Sequence, residues 1–257
     1  MQPVVLILGS SPEAVSSRDW DRGAFSHIVA INNAWRIRPD WDVSIHPEDF
    51  PAEHQPDEFG PGQRRVGASD YVPVQNAYGG FVYAGGTMAF TAGYWALGAL
   101  RPRVIAFFGC DMVYPSRGAT HFYGSGTADP LRADVTLQSL EAKAARLQLF
   151  AAEQGCACVN LSARESRLVF PRASRAEVSW SEPVPPEPES FETARAREAA
   201  LGYFVPSGRY WEEEARFDPA ELRSLDDLWL EAHASASLRM APVRGRASLS
   251  RRRDGGA

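Results

Sequence analysis

Short, unbroken apolar runs, each stopping at a glycine or an asparagine, recur through the first two thirds of this 257-residue chain. Val4–Leu8 runs into Gly9-Ser10-Ser11-Pro12, His27–Ile31 closes on Asn32-Asn33, and Val104–Phe108 ends in Gly109-Cys110-Asp111. Strands buried on both faces of a parallel sheet read this way, because neither face meets water. Asp42–Ile45 and Cys158–Leu161 are shorter runs of the same kind. Tyr71–Val74 is a weak strand candidate inside residues 47–80, which otherwise read as one long loop of the sort that carries function or mobility.

Helical patterns fall between the runs. Pro12 suits the first turn of a helix reaching about Trp20, with Ser10 or Ser11 as its cap. Gly85-Gly86-Thr87 opens a helix to about Leu100 that is apolar nearly all round and therefore buried. Leu137, Leu140, Ala144, Leu147 and Ala151 recur at the helical period and predict a surface helix ending at Gly155. Strands alternating with helices predict an α/β, Rossmann-like three-layer fold over residues 1–172, with a mostly parallel sheet and right-handed crossovers.

Residues 173–190, which include Pro183-Val184-Pro185-Pro186-Glu187-Pro188, read as a stiff linker. A C-terminal helical extension over 191–238 follows, with helices at Phe191–Leu201 and Pro219–Ala236 around the aromatic turn Gly202–Trp211. Its apolar stripe (Leu222, Leu225, Trp229) belongs to a segment too short to form a core alone. The stripe is expected to pack on the main domain or on a second subunit, the latter giving a homo-oligomer. Residues 239–257, with Arg251-Arg252-Arg253, read as a disordered basic tail whose charge is a solvated end, or alternatively a contact for nucleic acid or anionic lipid.

The formal net charge of −5 argues against a nucleic-acid partner, which selects for clustered basic residues. No apolar run approaches the roughly 20 residues of a membrane span. Met1-Gln2-Pro3 lacks the basic head of a signal peptide. Cys110, Cys156 and Cys158 make neither a disulfide framework nor a zinc site and read as buried thiols, so the expected location is cytoplasmic.

Ligands of open α/β sheets sit outside the carboxyl ends of the strands, where the strand order reverses. Gly9, Ser10 and Ser11 offer backbone N–H groups and hydroxyls to a phosphate or ribose, or simply form a tight, capped turn. Asn32 and Asn33 carry amides that suit reading a base or sugar, or that bond the neighbouring loop. Gly86 and Thr87 leave room at a helix start for a ligand or for a close-packed strand. Asp111 can hold a hydroxyl or a metal, or cap the turn after the central strand. The loop Thr120–Asp129 is dense in polar and aromatic groups, and His121 in it is the candidate general base. Arg117 and Arg132 flank this loop and can neutralise phosphate or stay solvated. His46, His54 and Glu48 show no metal-ligand spacing, and no metal site is expected.

In motif order and spacing, the chain from Val4 to about Pro171 resembles the bacterial sialyltransferases built on a single Rossmann-like domain that needs no metal. Gly9-Ser10-Ser11-Pro12-Glu13 matches the family's Gly-Asn-Gly-Pro-Ser turn, Asn32 its Asn after strand two, and Gly86-Thr87 loosely its Ser-Gly pair. Ala96-Leu97-Gly98, Gly109-Cys110-Asp111 and Asn160-Leu161-Ser162 match later motifs. The same order also resembles a wider group of Rossmann proteins that includes a pterin diphosphokinase. Against the family's His-x-x-Gly-His loop, His121 matches the first histidine, and Ser125 stands where the family has its catalytic base. Tyr114 lies one position from the family's phosphate-steadying tyrosine, with Val113 in its place. Either His121 has taken over as base, or the chemistry differs, or the site only binds.

The resemblance implies a metal-independent, glycosyltransferase-like enzyme that takes a nucleotide-sugar donor and a glycan or small-molecule acceptor, with no cofactor. Gly9, Ser10, Ser11, Asn32, Asn33, Gly86 and Thr87 would hold the nucleotide, and Asp111 the sugar or ribose. The catalytic set would be His121, Tyr114, Tyr123 and Ser125. The alternatives are Mg²⁺-dependent pyrophosphoryl transfer, with Asp111 and Asp129 as candidate ligands, and a non-catalytic nucleotide- or sugar-binding module.

Overall fold

Six strands, β1 (Val4–Leu8), β2 (His27–Ile31), β3 (Val43–Ile45), β4 (Arg64–Val66), β5 (Val104–Phe108) and β6 (Ala157–Asn160), form one sheet in the order β4-β3-β2-β1-β5-β6. The computed structural model describes residues 2–114, 118–125 and 132–240, without the side chains of 239 and 240. Arg117, Asp129 and residues 241–257 lie outside the described residues. Every strand pair is parallel, and the result is the expected three-layer α/β fold of Rossmann type. The chain moves outward one way from β1 to β4, then returns to the other side of β1 with β5. The order therefore reverses between β1 and β5, in register from Val4 opposite Val104 to Leu8 opposite Phe108.

The helices are α1 (Ala68–Asn76), α2 (Phe81–Ala84), α3 (Met88–Leu100), α4 (Leu140–Glu153), α5 (Pro188–Leu201) and α6 (Pro219–Met240). Odd-numbered residues of β1, β2 and β3 (Val5, Ile7, Val29, Ile31, Val43, Ile45), with Ile105 and Phe107 of β5, share one core with the six helices. The alternate residues, among them Leu6, Leu8, Ile28 and Ala106, share a second core with 3₁₀ turns at Pro12–Asp19 and Asn32–Arg36 and with Val178. Among the described residues, no helix is long and apolar enough to cross a membrane.

Three local readings need correction. Residues 47–80 are not one loop: Arg64–Val66 is an edge strand, and Tyr71–Val74 is helical, within α1. Asp70 accepts from the N–H of Gly67 at 3.0 Å and closes the first turn, while Tyr71, Gln75 and Tyr78 form a buried stripe at helical spacing. The segment after Pro12 is a 3₁₀ helix rather than an α-helix, and Ser11 makes no side-chain cap bond to it. Third, α4 is not a surface helix: eleven of its residues from Leu140 to Ala151 are buried, including Lys143, Arg146 and Gln148. Of the two placements expected for the Leu222, Leu225, Trp229 stripe, the structure has the first: it is buried inside this chain, against α4 and α5, and so supplies no surface for a second subunit.

Buried charges in α4 explain that packing. Arg146 has no exposed surface and is gripped by both carboxylate oxygens of Glu198 on α5, at 2.6 and 2.8 Å. It also donates to the Tyr94 hydroxyl at 2.7 Å and to the carbonyl of Tyr78 at 2.5 Å. Trp229 on α6 adds an indole N–H to Glu198 at 2.9 Å. Lys143 pairs with Asp226 of α6 at 2.7 Å, where burial lifts the Asp226 carboxyl above its usual range despite the ammonium beside it. The three cysteines are buried, and burial raises each thiol above its ordinary pKa.

Candidate functional site

Gly9 and Gly109 end the two strands between which the order reverses, and their turns press on each other. A Cβ on Gly9 would sit 2.2 Å from the carbonyl oxygen of Gly109, and one on Gly109 would sit 2.8 Å from the Cβ of Ala14. Gly109 also has φ of +74°, a backbone region that side chains disfavour. Close approach of two main chains thus accounts for both glycines. Gly9→Ala is expected to lower stability by about 1–3 kcal/mol, the cost of forcing volume into packed structure. Urea unfolding measures this, and a variant as stable as the parent would show that the turns separate freely.

Above these turns lies a cleft of about 1220 Å³. Gly9, Ser10, Asn32, Gly86, Thr87, Tyr114, His121 and Tyr123 all line it, so the turns after β1, β2 and β5 and the start of α3 share one space. Ser11 and Asp111 instead line an adjoining recess of about 40 Å³, together with Ser10, Thr120 and His121. Asn33 is buried and lines neither space, as is His46, whose Nδ1 lies 2.9 Å from the carbonyl of Pro47. Ser125 is exposed, donates to the carbonyl of Gly118 at 3.1 Å and does not line the cleft, which separates it from the other three catalytic candidates.

The His121 loop is pinned to the first turn. Phe122 N–H donates to the carbonyl of Ser10 at 3.0 Å, and His121 exchanges backbone bonds with Gly124 at 3.0 and 3.1 Å. The imidazole stacks on Tyr123 with centroids 5.0 Å apart, packs against Tyr114 at 5.9 Å, and has Nδ1 2.9 Å from the Thr120 hydroxyl. Backbone and ring contacts together hold one basic nitrogen heterocycle at the cleft wall.

Asp111 is 6% exposed and faces the end of β6: one carboxylate oxygen accepts from Asn160 at 3.0 Å and lies 3.9 Å from Arg172, and the other has no hydrogen-bond partner. Glu13 neighbours it. Burial pushes the Glu13 carboxyl above its usual range, a bond from Ser162 opposes this, and the Asp111 carboxylate adds to the rise. Among the described residues, no group of three or more His, Cys, Asp or Glu is placed to hold a metal ion.

The C-terminal extension builds the remaining wall. A Cβ on Gly86 would lie 2.1 Å from the Tyr210 hydroxyl, so a tyrosine rather than a ligand fills the room this glycine leaves. Tyr210 donates to Asp134 at 2.6 Å and accepts from Arg132 at 3.1 Å. Arg132 is ion-paired with Asp134 at 2.8 Å and donates to the Gly86 carbonyl at 2.9 Å. Thr136 completes the knot, donating to Asp134 at 2.7 Å while accepting the Gly86 N–H at 3.0 Å. Burial pulls the Asp134 carboxyl up, but bonds from Tyr210, Thr136 and Arg132 outweigh it and hold its pKa below the ordinary value. Burial, and Asp134 beside it, push Tyr210 up to about 12. Thr87 caps α3 through the Ala89 N–H at 3.2 Å.

Tyr210, Trp211, Arg209 and the Glu48–Phe50 loop line the cleft although the motifs of the first 170 residues do not include them. The signal available was the aromatic density of residues 202–211, where Tyr203, Phe204, Tyr210 and Trp211 crowd into one turn. Comparison of the chain with family models, with curated proteins and with solved structures gives no match.

Proposed function

We propose that the chain is a metal-independent, glycosyltransferase-like enzyme that uses a nucleotide-activated sugar. One observation carries the reading: turns after three strands and the start of a buried helix converge on a single cleft, at the reversal of strand order, with His121 fixed in its wall. A cleft of this size and position is where α/β sheets bind nucleotides. The opening of α3 at Gly86–Ala89 presents the positive end of a helix dipole to a phosphate. Ser10 and Asn32 offer a hydroxyl and an amide to the nucleoside.

In this reading His121 takes the proton of an acceptor hydroxyl as its oxygen bonds to the anomeric carbon. The bond to the nucleotide phosphate breaks, and Tyr114 or Tyr123 donates a hydrogen bond to the leaving oxygen. The test is a thermal-shift panel of nucleoside mono- and diphosphates, with and without Mg²⁺. One nucleotide is expected to raise the melting temperature without Mg²⁺, through preferential binding to the folded state. A strict need for Mg²⁺ would point to pyrophosphoryl transfer, and no shift under either condition would overturn nucleotide use.

A further inference from the structure

The segment at 206–214 belongs to no nucleotide-binding motif, yet it makes one side of the cleft. It is fastened at several points. The Pro206 carbonyl accepts from Asn76 at 2.8 Å, Gly208 packs where a Cβ would meet Val72 and Phe81 at 3.1 Å, and Tyr210 is tied to Asp134. Arg209 reaches Glu48 of the loop after β3 at 3.8 Å, so two segments far apart in sequence meet at this side of the cleft.

Trp211 follows directly on the fixed Tyr210, at 5.5 Å between ring centroids, yet its side chain is 60% exposed to the cleft and solvent. In a cleft wall, an indole left this exposed offers a flat apolar face to whatever enters. Carboxylates line the cleft with it: Glu214 of the same segment, Glu48 with Arg209 as its counter-ion, and Asp49 next to Glu48 in sequence. Carboxylates repel phosphate, so this half does not suit the charged part of a nucleotide. They do accept hydrogen bonds from hydroxyls. An apolar ring face beside hydroxyl acceptors is complementary to a pyranose, which presents C–H groups on one face and O–H donors at its edge.

We infer that the 206–214 segment forms a carbohydrate subsite of the cleft, with Trp211 as the face on which a pyranose ring stacks. The inference rests on the transferase reading only in assigning this half to the acceptor.

Saturation-transfer NMR on the full chain tests it, using methyl glycosides of glucose, galactose, mannose and N-acetylglucosamine as probes. At least one is expected to receive saturation at its ring C–H protons. Trp211→Ala is expected to weaken that glycoside by about tenfold or more, as loss of a central aromatic anchor does, and Trp211→Phe to retain it. The thermal shift by nucleotide is expected to persist in both variants. A panel with no saturation in the parent, or a signal unchanged in Trp211→Ala, would overturn the subsite. Loss of the nucleotide shift in Trp211→Ala would also overturn it, making the ring a base platform. A Trp211-dependent glycoside signal without any nucleotide shift would leave the subsite standing and remove the nucleotide-sugar reading.

Discussion

Glu198→Gln is expected to destabilise the protein by about 3–5 kcal/mol, the usual cost of leaving one member of a buried ion pair without its partner. Arg146 is wholly buried, and Glu198 supplies the carboxylate that neutralises it. Burial alone would lower the pKa of Arg146, but the Glu198 charge overrides this and raises it, so the guanidinium stays charged in the interior. Glutamine keeps an acceptor for the Trp229 indole but removes the negative charge. A loss of that size is a large fraction of the roughly 5–15 kcal/mol available to a folded domain. The urea midpoint should fall with the slope of the transition unchanged. Arg146→Met in the same chain should recover much of the loss, since the unpaired charge goes with it. A single variant within about 1 kcal/mol of the parent, the range of exposed pairs, would show that water reaches Arg146. The same pairing means that α5 and α6 cannot be removed as an appendage, because Arg146 and Lys143 would lose their counter-charges.

That pair also marks where one-dimensional reading ends. Val4–Leu8 and Val104–Phe108 coincide with β1 and β5 to the residue, because a strand buried on both faces must be apolar throughout. Arg64–Val66 carries no such signal: it is a three-residue edge strand with both arginines exposed, and charge there is how edges avoid pairing with other chains. In α4, Lys143, Arg146 and Gln148 look like a solvated face. The burial of Lys143 and Arg146 depends on Asp226 and Glu198, 83 and 52 residues further along, and Gln148 meets His233 of α6 at 3.2 Å. The site divides in the same way. Turns at strand ends are local, so Gly9, Asn32 and the opening of α3 could be placed in one cleft from topology. Tyr210 fills the space at Gly86 only because the chain folds back over α3, which no local pattern encodes. Ser125 is a candidate through the motif resemblance alone, and its hydroxyl lies outside the cleft.

The His121 and Ser125 positions therefore make opposite predictions. If His121 has become the base, His121→Ala should reduce transfer by about 10²–10⁴-fold, the range for loss of a general base. Ser125→Ala should leave the rate where it is, since Ser125 is exposed and outside the cleft. Alanine at 121 also removes the ring that stacks on Tyr123, so a drop in rate could reflect a displaced tyrosine. His121→Gln separates the two causes: its amide can still face the Thr120 hydroxyl, but it has no basic nitrogen near neutral pH. A rate as low as that of alanine, with nucleotide affinity retained, assigns the loss to proton transfer, because binding and chemistry then part company. Full activity in His121→Gln would leave proton removal to another group. Loss of nucleotide affinity in both variants would make His121 a binding residue, and the proposed proton transfer would have to start elsewhere in the cleft.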